Sequence, residues 1–521
     1  MHDTSHARTV EDLPRQFNAA VDLIRPNLEA GRGSKAAVID CNGATSYALL
    51  AERIDRMADG LRAAGVAREQ RVLLCLLDTV DFPTAFLGAI TAGIVPVPLN
   101  TLLTAEDYRW MLADSRAAAV IVSGELSGRW MAVAAEFPQV RFFSSGDGPW
   151  PPLEGLLAAA RPRAEPADTH RGEPAFWLYT SGSTGRPKGA MHSHAAMRLS
   201  ANLFGIGVAG YGEGDVVLSV AKEFFAYGLG NAIGFPYASG ATVVLHKDRA
   251  TPQTIGALMK RHRVTIFNGV PTFFAAFMAD AEAPSHDEVP SLRIATSAGE
   301  SLPRHIGEAF HARYGVDVID GLGSTEMLHI YVSQRPGTVR YGSTGRPVPG
   351  YEVRIMGDDG TICAAGEVGE LQVKGPTAAM GYWNNRPRSA ATFQGEWTRT
   401  GDKYRCDDEG WYSYVGRADD MLKVGGVYVS PAEVEEALAC HPSVLEAAVV
   451  GAPDGDGLIK PRAYVVLRSG QEAGDEAAAA LKAHVKAILA PYKYPRWIVF
   501  VGELPKTATG KIQRFRLRAC S

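Results

Sequence analysis

Short apolar, β-branched runs alternate with helix-like stretches through most of the sequence, and this alternation constrains the fold most. The segment beginning at Arg71 reads "RVLLCLL", then "DFPTAFLGAITAG", then "IVPVPLN", which predicts a buried strand, a helix and a second strand. Later strand-like runs such as "GATVVLH" and "SLRIATSAG" are separated by helical stretches such as "TPQTIGALMKRH". Strands buried on both faces and joined by helices form parallel sheets covered by helices. The sequence therefore predicts an α/β protein built on stacked, mostly parallel sheets.

The chain is too long for one compact core, and its pattern changes twice. A chain of 521 residues is expected to divide into domains. From about 339 to 414 the sequence becomes strand-rich with glycine turns, which predicts a β-rich subdomain. Towards the end it reads helix, strand, strand, helix, which predicts a small α+β domain. We expect an N-terminal core of residues 1–418 that contains the β subdomain, and a C-terminal domain of residues 419–521.

Composition and charge exclude several classes of protein. The formal net charge is −4 and no dense block of Lys and Arg occurs, so binding to nucleic acid has no electrostatic support. The most apolar stretch is interrupted by Asp78, Asp81 and Pro83, and the N-terminus lacks an apolar signal segment. The six cysteines form no CxxC pair, which is typical of a reducing compartment. We expect a cytoplasmic protein with no membrane or nucleic-acid partner.

The loop "YTSGSTGRPKG" (Tyr179–Gly189) combines glycines, hydroxyls and two cations between a strand and a helix-capable stretch. Glycine lets the backbone approach a ligand closely, while N–H groups, hydroxyls and the cations Arg186 and Lys188 can hold an anion. The spacing differs from that of the Walker A motif, because Lys188 precedes a glycine. The loop therefore indicates a phosphate-binding segment. The alternative is a flexible surface loop.

Five motifs occur in an order that identifies a family. They are "YTSGSTGRPKG", "GLGSTE" (Gly321–Glu326), "WTRTGD" (Trp397–Asp402), "GRADDMLKVGG" (Gly416–Gly426) and "PKTATGK" (Pro505–Lys511). Together they resemble the adenylate-forming superfamily of acyl-CoA synthetases, peptide-synthetase adenylation domains and luciferases. The resemblance implies an acid-thiol ligase that converts a carboxylate into an acyl-adenylate with ATP and Mg²⁺, releases pyrophosphate, and transfers the acyl group to coenzyme A. It also implies a large N-terminal domain and a mobile C-terminal domain.

The resemblance assigns a role to each nucleotide-site residue. Lys188 and the hydroxyl residues of the loop would hold the β- and γ-phosphates, Thr325 the α-phosphate, and Glu326 the Mg²⁺ ion; Asp402 and Arg417 would hold the ribose. The implied ATP and AMP contacts are Thr180, Ser181, Ser183, Thr184, Lys188, Ala298, Gly299, Glu300, Asp320, Thr325, Asp402, Arg417 and Lys511. Taken alone, Asp402 could be a turn residue, Glu326 a helix cap and Arg417 a surface ion pair.

Lys511 is the residue that the resemblance places at the reacting carboxylate and α-phosphate, where a cation stabilises the transition state of adenylation. Thr325, Glu326 and Lys188 complete the implied catalytic set. The alternative for Lys511 is a solvated lysine in the basic tail "GKIQRFRLR". Related ligases are inactivated by acetylation of the equivalent lysine, so an acetyltransferase and a deacetylase acting on Lys511 are possible partners.

Asp419 resembles the hinge about which the C-terminal domain of the family turns between the two half-reactions. After this turn, Lys423, Gly425 and Gly426 would help to form the channel for the pantetheine arm of coenzyme A. The sequence does not distinguish a monomer from a homodimer.

The acid pocket is the part of the site that varies most in the superfamily. "AKEFFAYGLGN" and "GSTEMLHIYVS" resemble the pocket segments of benzoate-CoA ligases and of their hydroxybenzoate and aminobenzoate relatives. The resemblance places these residues around a flat ring: Phe225, Ala226, Tyr227, Gly323, His329 and Ile330. Glycine leaves a slot beside a ring, and Tyr and Ile offer it apolar contacts. Benzoate is therefore the expected substrate, with 2-aminobenzoate and hydroxybenzoates as alternatives.

Two residues near the pocket have open roles. Glu223 is expected to face solvent, as glutamates usually do, but pointing inward it could favour a ring with a hydroxyl or amino group. His329 could contact the ring or a ring substituent, or could be a structural histidine.

Rival functions have less support in the sequence. An amino-acid-activating domain would need a carboxylate near Ala226 and Tyr227 for the substrate ammonium group, and nothing indicates the large heteroaromatic substrate of a luciferase. A non-catalytic nucleotide sensor would have no need of Lys511.

Overall fold

The computed structural model describes residues 3–182, 185–417, 420–424, 427–454, 458–490, 493–506 and 512–519. Its α-helices are α1 Ala19–Glu29, α2 Tyr47–Ala63, α3 Asp81–Thr91, α4 Ala105–Ser115, α5 Met131–Glu136, α6 Leu153–Ala159, α7 His194–Ser200, α8 Ala226–Leu229, α9 Phe235–Ser239, α10 Pro252–His262, α11 Pro271–Ala279, α12 Arg304–Tyr314, α13 Arg386–Thr392, α14 Pro431–Ala439, α15 Asp475–Ile488 and α16 Arg514–Ala519. Two π-helical segments, Ala201–Ile206 and Gly230–Gly234, continue α7 and α8.

The first fifteen strands belong to the N-terminal half and to the large sheet. They are β1 Ala36–Asp40, β2 Gly43–Ser46, β3 Arg71–Cys75, β4 Val95–Pro98, β5 Ala119–Ser123, β6 Arg141–Ser145, β7 Pro174–Gly182, β8 Gly185–Ser193, β9 Val216–Ser219, β10 Thr242–Val244, β11 Ile266–Gly269, β12 Ile294–Ala298, β13 Val318–Gly323, β14 Ile330–Ser333 and β15 Arg346–Pro347.

The later strands are β16 Glu352–Met356, β17 Val368–Lys374, β18 Gly381–Tyr382, β19 Phe393–Gln394, β20 Trp397–Cys406, β21 Tyr412–Arg417, β22 Leu422–Val424, β23 Val427–Val429, β24 Val444–Pro453, β25 Ile459–Leu467 and β26 Trp497–Phe500.

A nine-stranded sheet forms the centre of the fold, in the order β15-β14-β13-β12-β11-β9-β10-β1-β2. Its six inner strands, from β13 to β1, run parallel, and only the edge strands β2, β14 and β15 are antiparallel. The inner strands are largely buried, as is typical of parallel strands, and they carry the buried polar residues Asn268, Thr296 and Asp320 among apolar ones. Because β11, β12 and β13 are parallel neighbours, their carboxyl ends lie side by side at one edge of the sheet. Ligands of open α/β sheets bind at this edge.

A second, four-stranded sheet is parallel throughout, in the order β4-β3-β5-β6. The predicted strand, helix and strand after residue 70 are confirmed as β3, α3 and β4. Helix α3 packs against α2, and both helices contribute to one large apolar core that also contains residues of β1 and β3. The prediction of an α/β fold with mostly parallel sheets is thereby confirmed.

A five-stranded antiparallel sheet lies between residues 352 and 417, within the part of the chain where the sequence becomes strand-rich. Strands β7 and β8 form a long antiparallel hairpin, with β18 paired to β8. The limits of the β subdomain remain a prediction.

The C-terminal part follows the predicted order of helix, strand, strand and helix, as α14, β24, β25 and α15. Strand β26 adds to β25 in parallel, and α14 and α15 pack on this sheet through Val434 and Val485. Leu517 of α16 packs with Ala448 and Tyr464, which belong to β24 and β25. The boundary at residue 418 is still a prediction. None of the helices in the described ranges is both long and apolar enough to cross a membrane.

Candidate active site

The β7–β8 hairpin carries the phosphate-loop motif. The backbone of Thr180 pairs with that of Lys188 across the hairpin. The hydroxyl of Tyr179 donates a hydrogen bond of 2.7 Å to Asp114 Oδ2 on α4, which anchors the base of the hairpin. Of the other loop residues predicted to bind phosphate, Ser183 and Thr184 lie outside the described residues, as does the side chain of Ser181.

Tyr382 links the hairpin lysine to the residue predicted to bind Mg²⁺. The ammonium group of Lys188 lies 5.0 Å from the centre of the Tyr382 ring. The Tyr382 hydroxyl donates a hydrogen bond of 2.7 Å to Glu326 Oε1. Burial, together with the charge of Glu326, raises the pKa of Tyr382, so the phenol remains a donor at neutral pH. The structure thus brings Lys188 and Glu326 to one place through a residue that the sequence analysis missed.

The turn that carries Thr325 and Glu326 is held in an unusual backbone conformation. Both residues lie in a short 3₁₀ helix directly after β13, and the Glu326 carbonyl accepts a hydrogen bond of 2.7 Å from the Ala379 amide. Leu328 follows with φ of 66° and ψ of −49°, a region that a leucine rarely adopts. Such strain is characteristic of sites where the surrounding structure fixes a functional geometry.

A cationic cavity of about 240 Å³ lies beside the hairpin. Its lining includes the cations Lys188, Arg186 and Arg388 and one carboxylate, that of Asp114, which accepts the hydrogen bond from Tyr179. The cations suit an anionic group of the size of a phosphate.

Four further residues predicted to contact ATP or AMP lie on or directly after β12 and β13. Ala298 ends β12, Gly299 follows with φ of 96°, and Glu300 is the next residue. Asp320 is buried, and its Oδ2 accepts a weak hydrogen bond of 3.4 Å from the Leu302 amide. Burial raises the pKa of Asp320 to about 7. These four residues therefore lie near one edge of the sheet.

Asp402 and Arg417 form an ion pair. They are direct partners across β20 and β21, and Arg417 Nη1 lies 3.0 Å from Asp402 Oδ1. Asp402 is buried, whereas Arg417 is exposed. The Arg417 guanidinium also donates a hydrogen bond of 3.2 Å to the Thr400 carbonyl. A carboxylate accepts hydrogen bonds from hydroxyl groups, and this is the interaction predicted between Asp402 and the ribose.

His329 is the centre of an aromatic cluster. Its ring lies 5.3 Å from that of Tyr227, 5.4 Å from that of Phe204 and 4.5 Å from that of Phe235. Its Nε2 lies 3.2 Å from the carbonyl oxygen of Tyr227. Burial lowers the pKa of His329 to about 3, so the imidazole is neutral and donates this hydrogen bond.

Gly230 allows the close approach of His329. A Cβ at Gly230 would lie 2.4 Å from His329 Cδ2 and 2.8 Å from its Nε2. The glycine begins the π-helical segment Gly230–Gly234, and such segments occur often at functional sites.

A chain of hydrogen bonds continues from Tyr227 into the sheet. The Tyr227 hydroxyl lies 2.5 Å from Thr296 Oγ1, which donates to Asn268 Oδ1 at 2.7 Å. The same amide oxygen accepts a hydrogen bond of 3.1 Å from Tyr211. Thr296 and Asn268 are register partners on β12 and β11. The polar groups of this network therefore already have partners.

The other predicted pocket residues lie close to this cluster in the fold. Gly323 on β13 pairs with Ile330 on β14, and a Cβ at Gly323 would lie 2.7 Å from the His329 carbonyl oxygen. Ile330 is buried, while Phe225 and Ala226 are half-buried at the start of α8. The structure thus brings His329, Tyr227, Gly323 and Ile330 together, with Ala226 next to Tyr227 in the chain.

The expectation that Glu223 faces solvent is wrong. Glu223 is fully buried, with an exposed fraction of 0%. The segment folds back so that its backbone amide bonds Asp78, while the neighbouring Lys222 keeps part of its side chain at the surface. A glutamate is usually exposed because burial of a charged carboxylate is unfavourable, and burial here raises the pKa of Glu223 well above its usual range.

The donor set at Glu326 fits a Mg²⁺ ion. Mg²⁺ in nucleotide-binding enzymes is bound by one or two carboxylates together with substrate phosphates and water. Among the described residues no group of three or more His, Cys, Asp and Glu side chains could hold a metal ion by itself. A single half-buried carboxylate near Lys188 is the arrangement expected for an ion that arrives with ATP.

Several predicted residues lie outside the described part of the chain. They are Lys511, the hinge residue Asp419, and Gly425 and Gly426 of the channel; Lys423 lies on β22, but its side chain is also outside the description. Their roles remain predictions.

The sequence analysis missed five residues of the site: Tyr382, Thr296, Asn268, Phe204 and Phe235. Thr296 and Asn268 carried a usable signal, because polar residues near the ends of neighbouring buried strands meet at one sheet edge. Tyr382 lies on the short strand β18, Phe204 on the π-helical segment Ala201–Ile206 and Phe235 on α9, and no local pattern marks them.

The sequence matches two family models, one in its N-terminal part and one in its C-terminal part. Residues 28–383 match the AMP-binding enzyme family, and residues 433–511 match the AMP-binding enzyme C-terminal domain.

Similar proteins cover almost the whole chain. A benzoate–CoA ligase of Thauera aromatica is 52% identical over 520 residues, which span 99% of this chain and 98% of the relative. A 4-hydroxybenzoate–CoA/benzoate–CoA ligase of Rhodopseudomonas palustris is 47% identical over 511 residues, 97% of this chain and 94% of the relative. The crystal structure of a benzoate CoA ligase from Burkholderia xenovorans LB400 superposes with a TM-score of 0.91 at 51% identity, over 96% of this chain and 100% of that one.

Proposed function

Because this chain belongs to the AMP-binding enzyme family, we propose that it joins benzoate to coenzyme A in an ATP-dependent reaction that releases AMP and pyrophosphate. One observation carries this proposal: the chain is 52% identical, over its whole length, to a benzoate–CoA ligase. The grouping of Tyr227, His329, Gly323 and Ile330 beside the nucleotide motifs supports it.

In the first half-reaction, a carboxylate oxygen of benzoate attacks the α-phosphorus of ATP. The bond between this phosphorus and the bridging oxygen breaks, and pyrophosphate leaves with the electron pair. Lys188 and the loop hydroxyls hold the β- and γ-phosphates, and Thr325 contacts the α-phosphate. Lys511 contacts both the carboxylate and the α-phosphate, where charge develops in the transition state.

Glu326 is the ligand that we propose for Mg²⁺, which neutralises phosphate charge when it is bound. Tyr382 orients Glu326 through the hydrogen bond to Oε1 and places its ring under Lys188. Asp402, oriented by Arg417, accepts hydrogen bonds from the ribose hydroxyls, while Asp320 and the backbone of residues 298–300 lie on the adenine side.

In the second half-reaction, the thiolate of coenzyme A attacks the acyl carbon and AMP leaves. We propose that the C-terminal domain turns about Asp419 between the two steps. Lys423, Gly425 and Gly426 then line the channel for the pantetheine arm, where glycine permits close approach to the backbone.

The interior of the acid pocket favours an unsubstituted ring. The Tyr227 hydroxyl is bonded to Thr296, and Nε2 of His329 is bonded to the Tyr227 carbonyl. An apolar ring leaves these hydrogen bonds intact, and the aromatic and aliphatic side chains around it supply the contact area.

A ring with a hydroxyl or amino group is the second candidate, and one observation favours it. His329 Nδ1 is buried and has no hydrogen-bond partner among the described residues. A donor on the ring of a hydroxybenzoate or of 2-aminobenzoate could satisfy this nitrogen.

Mass spectrometry of the thioesters formed from an equimolar acid panel tests the proposal. The panel contains benzoate, 2-aminobenzoate, three hydroxybenzoates, phenylacetate, hexanoate and acetate, with ATP, Mg²⁺ and coenzyme A. We expect benzoyl-CoA as the main product, while a dominant substituted product supports the second candidate. Hexanoyl-CoA as the main product contradicts the pocket assignment, and the absence of pyrophosphate with every acid supports a nucleotide sensor instead.

A further inference from the structure

Glu223 is a buried acid that the proposed chemistry does not use. Its side chain has an exposed fraction of 0%, and neither of its carboxylate oxygens has a hydrogen-bond partner among the described residues. Burial of a carboxylate without such partners is strongly unfavourable when it is charged.

A second buried acid lies next to Glu223. Asp78 Oδ1 accepts a hydrogen bond of 3.3 Å from the Glu223 amide, and Asp78 Oδ2 lies 3.7 Å from Lys222 Nζ. The Lys222 ammonium group also donates hydrogen bonds to the carbonyl oxygens of His246 and Asp248. One lysine therefore faces two carboxyl groups, and it can balance the charge of only one of them.

The surroundings hold Glu223 in its protonated form. Burial raises its pKa well above the usual range, and the neighbouring charge of Asp78 adds to this effect. Burial also raises the pKa of Asp78, to about 6, against the favourable charge of Lys222. Among the described residues, Asp40 at the end of β1 and Tyr237 on α9 also interact electrostatically with Glu223.

The segment that contains Glu223 continues directly into the acid pocket. Phe225 donates its backbone amide to the Lys222 carbonyl at 3.0 Å, and a Cβ at Gly228 would lie only 2.0 Å from that carbonyl oxygen. The rings of Phe224 and Phe225 lie 4.4 Å apart, with Phe224 in the large core. A shift of Glu223 would therefore move the start of α8, which carries Tyr227.

We propose that Glu223 is a positioning residue for the acid pocket: as an uncharged carboxylic acid it keeps residues 221–227 packed against the loop that carries Asp78. This inference rests on the proposed function. Loss of the proton would leave two buried carboxylates beside one lysine, so the segment would move towards water. The result is weaker binding of the aromatic acid, with little change in turnover, because the nucleotide-site residues lie on other elements.

Steady-state kinetics between pH 6 and 9, with ATP and coenzyme A saturating, test this role. The comparison uses the wild-type enzyme, Glu223→Gln, Glu223→Met and the exposed control Glu52→Gln, whose carboxylate pairs with Arg56 at the surface. We expect KM for benzoate in the wild type and the control to rise about fivefold or more towards alkaline pH, with kcat changing less. In both Glu223 variants this rise should be absent.

Thermal unfolding provides a second readout. A carboxyl whose pKa is raised by folding stabilises the protein least at high pH, since its favourable contribution is lost as pH rises from the unfolded to the folded pKa. The melting temperature of Glu223→Gln should therefore exceed that of the wild type increasingly from pH 5 to pH 9.

The outcomes separate this inference from the function on which it rests. Benzoate-dependent pyrophosphate release at pH 7, together with equal pH profiles for KM in the wild type and both Glu223 variants, overturns the inference alone. No pyrophosphate release by the wild type with any aromatic acid overturns the proposed function and this inference with it.

Discussion

Replacement of Tyr382 by phenylalanine tests how Glu326, the proposed ligand of Mg²⁺, is oriented. The change removes the hydroxyl that donates a hydrogen bond of 2.7 Å to Glu326 Oε1. It keeps the ring, and therefore the contact of that ring with Lys188 at 5.0 Å. Any effect thus reports on the hydrogen bond and not on the cation–π contact.

The size of the effect follows from the partners of this hydrogen bond. A hydrogen bond to a charged group contributes about 1.5–3 kcal/mol, and about 1.4 kcal/mol corresponds to a factor of ten. Glu326 is half-buried, so water can replace part of the lost interaction. We therefore expect the affinity for ATP in the presence of Mg²⁺ to fall about tenfold.

Calorimetric titration with ATP, at several Mg²⁺ concentrations, measures this loss directly. Tyr412→Phe is the matched control, because its hydroxyl bonds the Val353 carbonyl at 3.3 Å in the β-rich sheet. The control should bind ATP as the wild type does. Unchanged affinity and unchanged Mg²⁺ dependence in Tyr382→Phe, with the protein folded, would refute the role given to Tyr382.

Three further perturbations have defined outcomes. Gly230→Ala should raise KM for benzoate at least about tenfold and lower the free energy of unfolding by about 1–3 kcal/mol, because the new Cβ would overlap His329. Enzyme kinetics measures the first effect and chemical denaturation the second. Unchanged values of both would contradict the close packing of Gly230 against His329. The melting temperature of Asp320→Asn should fall less between pH 5 and pH 8 than that of the wild type. Folding raises the pKa of Asp320 to about 7, so the wild type loses stability as pH rises towards this value. An equal fall of the melting temperature in both proteins would contradict a raised pKa at Asp320. Lys511→Ala should nearly abolish pyrophosphate release but retain thioester formation from supplied benzoyl-AMP, and an equal loss of both would contradict the separation of the two half-reactions.

The positions of the motif residues could be identified from the sequence because each motif is a continuous segment, while the roles that the family resemblance assigns to them remain predictions. Lys188 lies on β8 beside the hairpin turn, and Thr325 and Glu326 lie in a 3₁₀ helix after β13, so the glycine and hydroxyl residues around each of them fall within one short segment of the sequence. The alternation of apolar runs predicted β3, α3 and β4 for a similar reason, since burial of both sheet faces imposes it.

Residues joined only by tertiary packing could not be predicted. Tyr382 is 56 positions from Glu326, and Asp78 is 145 positions from Glu223. The expectation for Glu223 failed because the usual exposure of glutamate assumes a charged side chain, whereas burial beside Asp78 favours the neutral form.

The most direct test of the central claim is the fate of the carboxylate oxygen. Benzoate labelled with ¹⁸O in both carboxylate positions is converted with ATP and coenzyme A, and the nucleotide product is analysed by mass spectrometry. Attack of the carboxylate on the α-phosphorus predicts AMP that carries a single ¹⁸O atom, together with singly labelled benzoyl-CoA. Unlabelled AMP, or ADP and labelled phosphate, would contradict an acyl-adenylate and with it the mechanism proposed for this site.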